Sequence, residues 1–200
     1  PWLRHYHSWE ADELDLVGRL LRVGGAFLDV GAHVGYYTVS ALRIVGTTGR
    51  VIAVEPHSPL RDLLLSNVEA AVGPDTAARL EILPFAAWDA DTAVNLTTST
   101  DGNSGDNQVD AIDTQPSADS GRGPSERIEA RALAGVEAVA QTRLDVVKVD
   151  IQGRDHRALR GLLPVLRRDR PHVITEFWPE GIRAAGESPA RVLADYAEWG

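Results

Sequence analysis

The chain has 200 residues, 44% hydrophobic and 24% charged, which suits one globular domain with a sizeable core. A formal net charge of −9 argues against a nucleic-acid backbone as the main partner, because phosphates call for a basic surface. With no cysteine there is neither a disulfide framework nor a thiolate site. No apolar run approaches the ~20 residues that span a bilayer and no signal peptide opens the chain, so a cytoplasmic protein with no membrane partner is expected.

The first element is an amphipathic helix over 12–22, with Leu14, Val17, Leu20 and Leu21 on one face, ended by Gly24 and Gly25. Ala26 to Val30 reads as a buried strand that runs through Asp29 into the turn Gly31-Ala32-His33-Val34-Gly35, and a helix follows over about 34–45. Gly46 and Gly49 break that helix before a second apolar strand, Val51 to Val54, which ends in Glu55-Pro56. A strand, a glycine turn, a helix and a second strand ending in an acid are how a parallel α/β sheet holds an adenosine-containing cofactor. Gly31 lets backbone N–H groups approach a ligand where a Cβ would clash. The helix after the turn is expected to present free N–H groups and its positive dipole end to that ligand.

The glycine spacing discriminates among such cofactors. A dinucleotide fingerprint reads G-x-G-x-x-G, whereas this turn reads D-x-G-x-x-x-G with no glycine at position 33. Asp29, inside the turn, repels a diphosphate but suits the ammonium group of a cationic ligand, directly or through water. That favours S-adenosylmethionine, with Glu55 accepting from the two ribose hydroxyls.

Downstream, Ser58-Pro59 supplies a hydroxyl cap and a first-turn proline for a helix whose apolar stripe is Leu60, Leu63, Leu64, Val68 and Val72. A third strand is expected over about 80–86. Short strands over 93–98 and 126–131 flank a long polar loop, 99–125, read either as a substrate lid or as disorder. Leu144 to Asp150 is a strand buried on both faces, and the helix from Asp155 to Leu166 buries Leu159, Leu162, Leu163 and Leu166. The arginines at 154, 157, 160, 167, 168 and 170 read as a solvated helix face. His172 to Phe177 is the fifth main strand and carries Glu176, and Ser188-Pro189 begins a last helix with Val192, Leu193 and Tyr196. The alternation of strand and helix implies an α/β fold, a mostly parallel sheet with helices on both faces.

The order FLDVGAHVGYYTV, GRVIAVEPHS, Asn67 in a helix, then LDVVKVDIQGRDHRALRG resembles the FkbM family of S-adenosylmethionine-dependent methyltransferases over roughly residues 10–178. The family pattern K-x-D-x-E-G-x-E-x-x-x-L-x-G is carried by Lys148, Asp150, Gln152, Gly153, Asp155, Leu159 and Gly161, with Gln152 and Asp155 where glutamates are common. The resemblance implies a Rossmann-like class I methyltransferase fold and methyl transfer to a hydroxyl of a small molecule, such as a sugar or a secondary metabolite. It assigns Asp29, Gly31 and Gly35 to the methionine part and Glu55 to the ribose, with Ala32, His33 and Pro56 also in the cofactor site. Trp88 and Asp89 fall where related enzymes meet the adenine, Trp88 by stacking and Asp89 by accepting from the exocyclic amine; an ordinary core aromatic is the other reading of Trp88. Such enzymes close the sheet with a further antiparallel hairpin, for which no residues remain. With a start at Pro1 and no methionine, the expectation is a single methyltransferase domain over 1–200, truncated at one or both ends.

Methyl transfer from a sulfonium is an in-line displacement, so the protein must align the acceptor and remove a hydroxyl proton. Asp150, Gln152 and Glu176 are expected to converge on the acceptor, with His156 within reach as a base or else as a structural residue. Lys148 shares a face with Asp150 by strand alternation, which predicts a local ion pair. Asp150, Asp155, His156 and Glu176 make a Mg²⁺ site conceivable, but the spacing is not diagnostic and no metal ligands are assigned. The rival readings are a nicotinamide-dependent oxidoreductase and a degenerate domain that binds cofactor without turnover. The oligomeric state is left open.

Overall fold

The computed structural model describes residues 10–99, 107–112 and 122–199. Helix α1 (Ala11–Leu20) leads into strand β1 (Ala26–Val30), helix α2 (Tyr36–Val45), strand β2 (Arg50–Val54), helix α3 (Ser58–Ala71) and the single turn α4 (Pro74–Ala77). Strands β3 (Leu80–Leu83), β4 (Ala86–Trp88), β5 (Thr92–Ser99), β6 (Gln108–Ala111) and β7 (Arg122–Ala132) come next. The remainder is α5 (Glu137–Ala140), β8 (Val146–Val149), α6 (Asp155–Asp169), β9 (His172–Thr175), α7 (Pro179–Ala184) and α8 (Pro189–Trp199).

Five strands form a parallel sheet in the order β3-β2-β1-β8-β9. From β1 the chain moves outward through β2 and β3 on one side and later through β8 and β9 on the other. The boundary between β1 and β8 is therefore the point where strand order reverses, and open α/β sheets bind ligands there, beyond the carboxyl ends of the strands.

Alternation along the strands builds a core on each face. Phe27, Val51, Ala53 and Val146 pack with Val17, Leu42, Val45, Leu64 and Val68 of α1 to α3. Leu28, Val30, Ile52, Val54, Val147 and Val149 pack on the other face with Ala158, Leu159, Leu162 and Val165 of α6. The expected α/β architecture is thus present, and β1 has the predicted bounds.

Three local expectations are corrected. The strand expected over 80–86 is divided at Pro84, which has no N–H to give a ladder: β3 stays in the parallel sheet, and β4 joins a second sheet of order β4-β7-β5-β6. Part of the stretch read as a loop over 99–125 is a strand, because β6 pairs antiparallel with β5, Leu96 opposite Val109 and Val94 opposite Ala111. Residues 122–125 of that stretch begin β7, and the lid expectation otherwise falls on residues 100–106 and 113–121, outside those described. Helix α3 is capped at His57 rather than Ser58, without a side-chain cap bond. No described helix is long and apolar enough to cross a membrane.

Candidate cofactor and acceptor site

Gly31 joins the ends of β1 and β8. It lies at φ +80°, and a Cβ on it would come within 2.1 Å of the Asp150 carbonyl oxygen, so only glycine lets the two strand ends approach this closely. The turn's donors are committed to the protein: the Gly31 and Ala32 N–H groups donate to the Val54 carbonyl at 2.9 and 3.1 Å. The His33 N–H donates to Glu55 Oε2 at 2.9 Å. The helix expected from about 34 begins at Tyr36, and the Thr38 N–H goes to Asp29. Two non-glycine residues flank this junction in the left-handed region, His33 at φ +53° and Gln152 at φ +56°. Such conformations are disfavoured for side-chain-bearing residues and cluster at binding sites.

Glu55 is held at both oxygens, Oε1 accepting from the His57 N–H at 2.9 Å and Oε2 from His33. Burial raises its pKa above the ordinary glutamate range against the pull of those two donors. Each oxygen keeps a further lone pair for a ligand hydroxyl.

Asp29 behaves differently. It is fully buried, and its Oδ2 accepts the Thr38 hydroxyl at 2.6 Å, so it caps the first turn of α2, where a negative charge complements the helix dipole. Burial raises its pKa, opposed chiefly by Lys148, its register neighbour on β8. Asp29 lines neither of the two cavities at this end of the sheet, and its Oδ1 has no hydrogen-bond partner among the described residues.

Lys148 donates to Asp150 at 3.1 Å, the local pair read from strand alternation, and its ammonium lies 4.5 Å from the centre of the Tyr37 ring. Burial works against its charge, but Asp29 and Asp150 outweigh it and hold the lysine above its ordinary range. The Tyr37 hydroxyl donates to Glu10 at 2.7 Å.

Two adjoining cavities open here. The first, of about 270 Å³, is walled on the sheet side by Gly31, Ala32, His33, Glu55 and Pro56, and on the β8 side by Asp150, Ile151 and Gln152. Leu96, Asn107 and Val109 close it from the antiparallel ribbon, and Leu60 adds an apolar wall from α3. The second, of about 280 Å³, shares Glu10, Tyr37, Lys148, Asp150 and Gln152 and adds Glu13 and Glu176. Burial raises the Glu176 pKa, with the Asp150 and Glu10 carboxylates acting in the same sense and Lys148 opposing them.

The structure thus brings together Gly31, Ala32, His33, Glu55, Pro56, Asp150 and Glu176. Gly35 supports the site from behind, since a Cβ there would press on Leu64 at 2.9 Å. Trp88 and Asp89 line neither cavity. Trp88 is buried at the base of the ribbon with the Arg157 guanidinium 5.0 Å from its ring, and Asp89 pairs with that same arginine at 3.0 Å. His156 is 1% exposed and also lines neither cavity, and burial lowers its pKa despite the neighbouring Glu187. Its Nε2 lies 3.5 Å from Glu187, beyond hydrogen-bond geometry. Among the described residues no group of three or more His, Cys, Asp or Glu is arranged to hold a metal ion.

The arginine series is only in part a solvated face. Arg154 is buried and bonded to Asp110 of β6, Nε at 3.1 Å, and to the Gly181 carbonyl at 2.9 Å. Arg157 and Arg160 grip Glu187 at 3.1 and 2.9 Å, and Arg160 also holds Asp195 at 2.9 Å. Several motif positions are architectural. A Cβ at Gly161 would meet the Trp88 carbonyl at 1.9 Å, so this glycine seats α6 on β4. Asp155 accepts the Gly153 N–H at 3.2 Å, and burial pushes its pKa up to about 7. Asn67 donates to the Val34 carbonyl at 2.8 Å, tying α3 to the glycine turn. Sequence reasoning missed Leu96, Asn107 and Val109 as site residues: Leu96 stands in the strand expected over 93–98 with nothing to mark it as a cavity wall, and the V-x-A alternation at 109–111 is too short to stand out of a polar stretch.

The profile of the methyltransferase FkbM domain matches residues 29–194. A crystal structure of an FkbM methyltransferase from Methylobacillus flagellatus is similar with a TM-score of 0.56 at 14% identity, over 92% of this chain and 44% of that one. A structure of an S-adenosylmethionine-dependent O-methyltransferase from Thermotoga maritima is similar with a TM-score of 0.52 at 11% identity, over 96% of this chain and 54% of that one. The chain therefore spans about half the length of each of these two proteins. A comparison with curated proteins gives no match. At these identities the structures speak for the fold, and the profile match over most of the length decides the family: the chain belongs to the FkbM family of S-adenosylmethionine-dependent methyltransferases.

Proposed function

We propose that this chain transfers the methyl group of S-adenosylmethionine to a hydroxyl of a small molecule, a sugar or a secondary metabolite. The observation that carries this reading is Glu55, a buried carboxylate fixed at both oxygens by backbone N–H groups on the wall of the first cavity. That geometry suits a vicinal diol such as the ribose of the cofactor, whose sulfonium supplies an electrophilic methyl when bound. A dinucleotide is disfavoured because the Gly31, Ala32 and His33 N–H groups are engaged within the protein and give a diphosphate no cradle.

The second cavity supports the acceptor side. Asp150 lines both cavities and, steadied by Lys148, orients the acceptor hydroxyl. Glu176, made more basic by its surroundings, takes the hydroxyl proton as the oxygen attacks. Gln152 stands on the wall of both cavities where an acid is common in the family pattern, and it keeps one second reading in play, cofactor binding without turnover.

The test is a calorimetric titration with S-adenosylmethionine and S-adenosylhomocysteine, with NAD as control and the Glu55→Ala variant beside the native chain. Micromolar binding is expected, weakened in the variant by about 1–3 kcal/mol through the lost ribose contacts. Equal affinity in the variant, or binding of NAD instead, would sink the assignment. Binding without methyl transfer to any member of a hydroxyl-acceptor panel would favour the second reading.

A further inference from the structure

We infer that Arg154 is a positioning residue for the reaction: from outside both cavities its guanidinium holds the backbone that presents Gln152 to cofactor and acceptor alike. This rests on the proposed function and adds to it a residue that touches neither ligand. Gln152 and Gly153 lie one after the other in the left-handed region, at φ +56° and +78°. A residue with a side chain adopts that conformation only where its surroundings impose it. Gln152 lines both cavities, so a return to an ordinary φ would move the wall that they share.

Arg154 is buried and lines neither cavity, and its fork reaches acceptors on three sides. Nε and Nη2 donate to Asp110 Oδ1 on β6, Nε at 3.1 Å. Nη1 donates to the Gly181 carbonyl of α7 at 2.9 Å and lies 3.5 Å from the Gln152 carbonyl. Gly153 packs on the same glycine, because a Cβ there would come 2.8 Å from Gly181 Cα. The loop after β8 is thus clamped between the ribbon and α7 by one planar group with fixed donor directions. A lysine ammonium, a point charge on a flexible stem, keeps the charge opposite Asp110 but cannot serve all three acceptors in those directions. Arg160, further along α6, is bonded instead to Glu187 and Asp195 and makes the matched control.

S-Adenosylhomocysteine would be titrated into the native chain, Arg154→Lys, Gln152→Ala, the two combined, and Arg160→Lys, with urea unfolding of each. Arg154→Lys and Gln152→Ala should each bind roughly three- to tenfold more weakly than the native chain. The combined variant should lose no more than the weaker-binding single variant, because the arginine acts through Gln152. An arginine with a purely structural role would lower stability without that coupling, as Arg160→Lys should, its affinity staying within about twofold of native. Where Arg154→Lys does not fold, Arg154→Met with Asp110→Leu, which removes both charges, takes its place with the same expectation. Losses that multiply in the combined variant, native affinity in either single variant, or a loss in Arg160→Lys as large as that in Arg154→Lys overturns the inference and leaves the proposed function standing. No binding by the native chain overturns both.

Discussion

The carboxyl ends of the parallel strands and the antiparallel ribbon wall the same cavity from opposite sides, yet they are held by different means. On the sheet side the polar groups are fixed over short reach: Glu55 by two backbone donors, Asp29 by Thr38, and the β1 turn by Val54. On the ribbon side the wall is Leu96, Val109 and Asn107, and its tie to the β8 loop is one buried charge pair, Arg154 with Asp110. One side is set by backbone geometry and the other by a long-range pair between residues 44 positions apart. The sheet side should therefore fail by steric strain and misplaced protons, the ribbon side by loss of a partner.

The largest effect is expected at Gly31. Alanine there meets the Asp150 carbonyl and must adopt φ +80°, which should destabilise the fold by more than about 4 kcal/mol or abolish it, read by urea unfolding. Alanine at Gly73, where nothing lies within 4 Å, serves as the matched control and should change stability little. Comparable losses at both positions would mean that the β1–β8 junction is not the rigid side.

Asp155 tests the sheet side through protons. Its folded-state pKa of about 7 lies above the unfolded aspartate value of ~3.9, so the folded protein binds more protons between those limits. Its contribution to stability is most favourable below the unfolded value and falls as pH rises, by roughly 4 kcal/mol once pH passes the folded value. Asp155→Asn keeps an acceptor for the Gly153 N–H and should abolish that slope, so that variant and native chain diverge progressively from pH 4 to 8. Parallel stability curves would show that this carboxyl is not held in its burial-raised state.

On the ribbon side, Arg154→Met takes the guanidinium away from the buried Asp110 carboxylate and should cost about 3 kcal/mol. The double change with Asp110→Leu should recover part of that loss, because the buried carboxylate facing the methionine is then gone. If the single change costs nothing, the pair does not anchor the ribbon.

What the sequence disclosed follows the same division. The turn from Asp29 to Gly35 and the acid at Glu55 stood out because glycine, strand and acid occur within one βαβ unit, where spacing carries the geometry. Even there the partners differed: the turn's N–H groups serve the protein, and Asp29 serves helix α2. The ribbon was hard to read because strand β6 is four residues inside a polar stretch, and its pairing to β5 and its tie to Arg154 are tertiary. The arginines of α6 illustrate the limit. A helix rich in arginine looks solvated until Asp89, Asp110, Glu187 and Asp195 arrive from distant elements.

The smallest effect is expected at the base of the ribbon. Trp88→Phe removes the better cation–π surface under Arg157 and some buried volume, which should cost about 1 kcal/mol of stability. Because Trp88 lies outside the cavity that holds Glu55, the affinity for S-adenosylhomocysteine should stay within about twofold of native, a change under ~0.5 kcal/mol. The two readouts move independently if Trp88 is structural. A tenfold loss of affinity would mean that Trp88 meets the cofactor despite its place outside that cavity. Unchanged affinity with the expected loss of stability would leave β4 as the floor on which α6 is seated through Gly161.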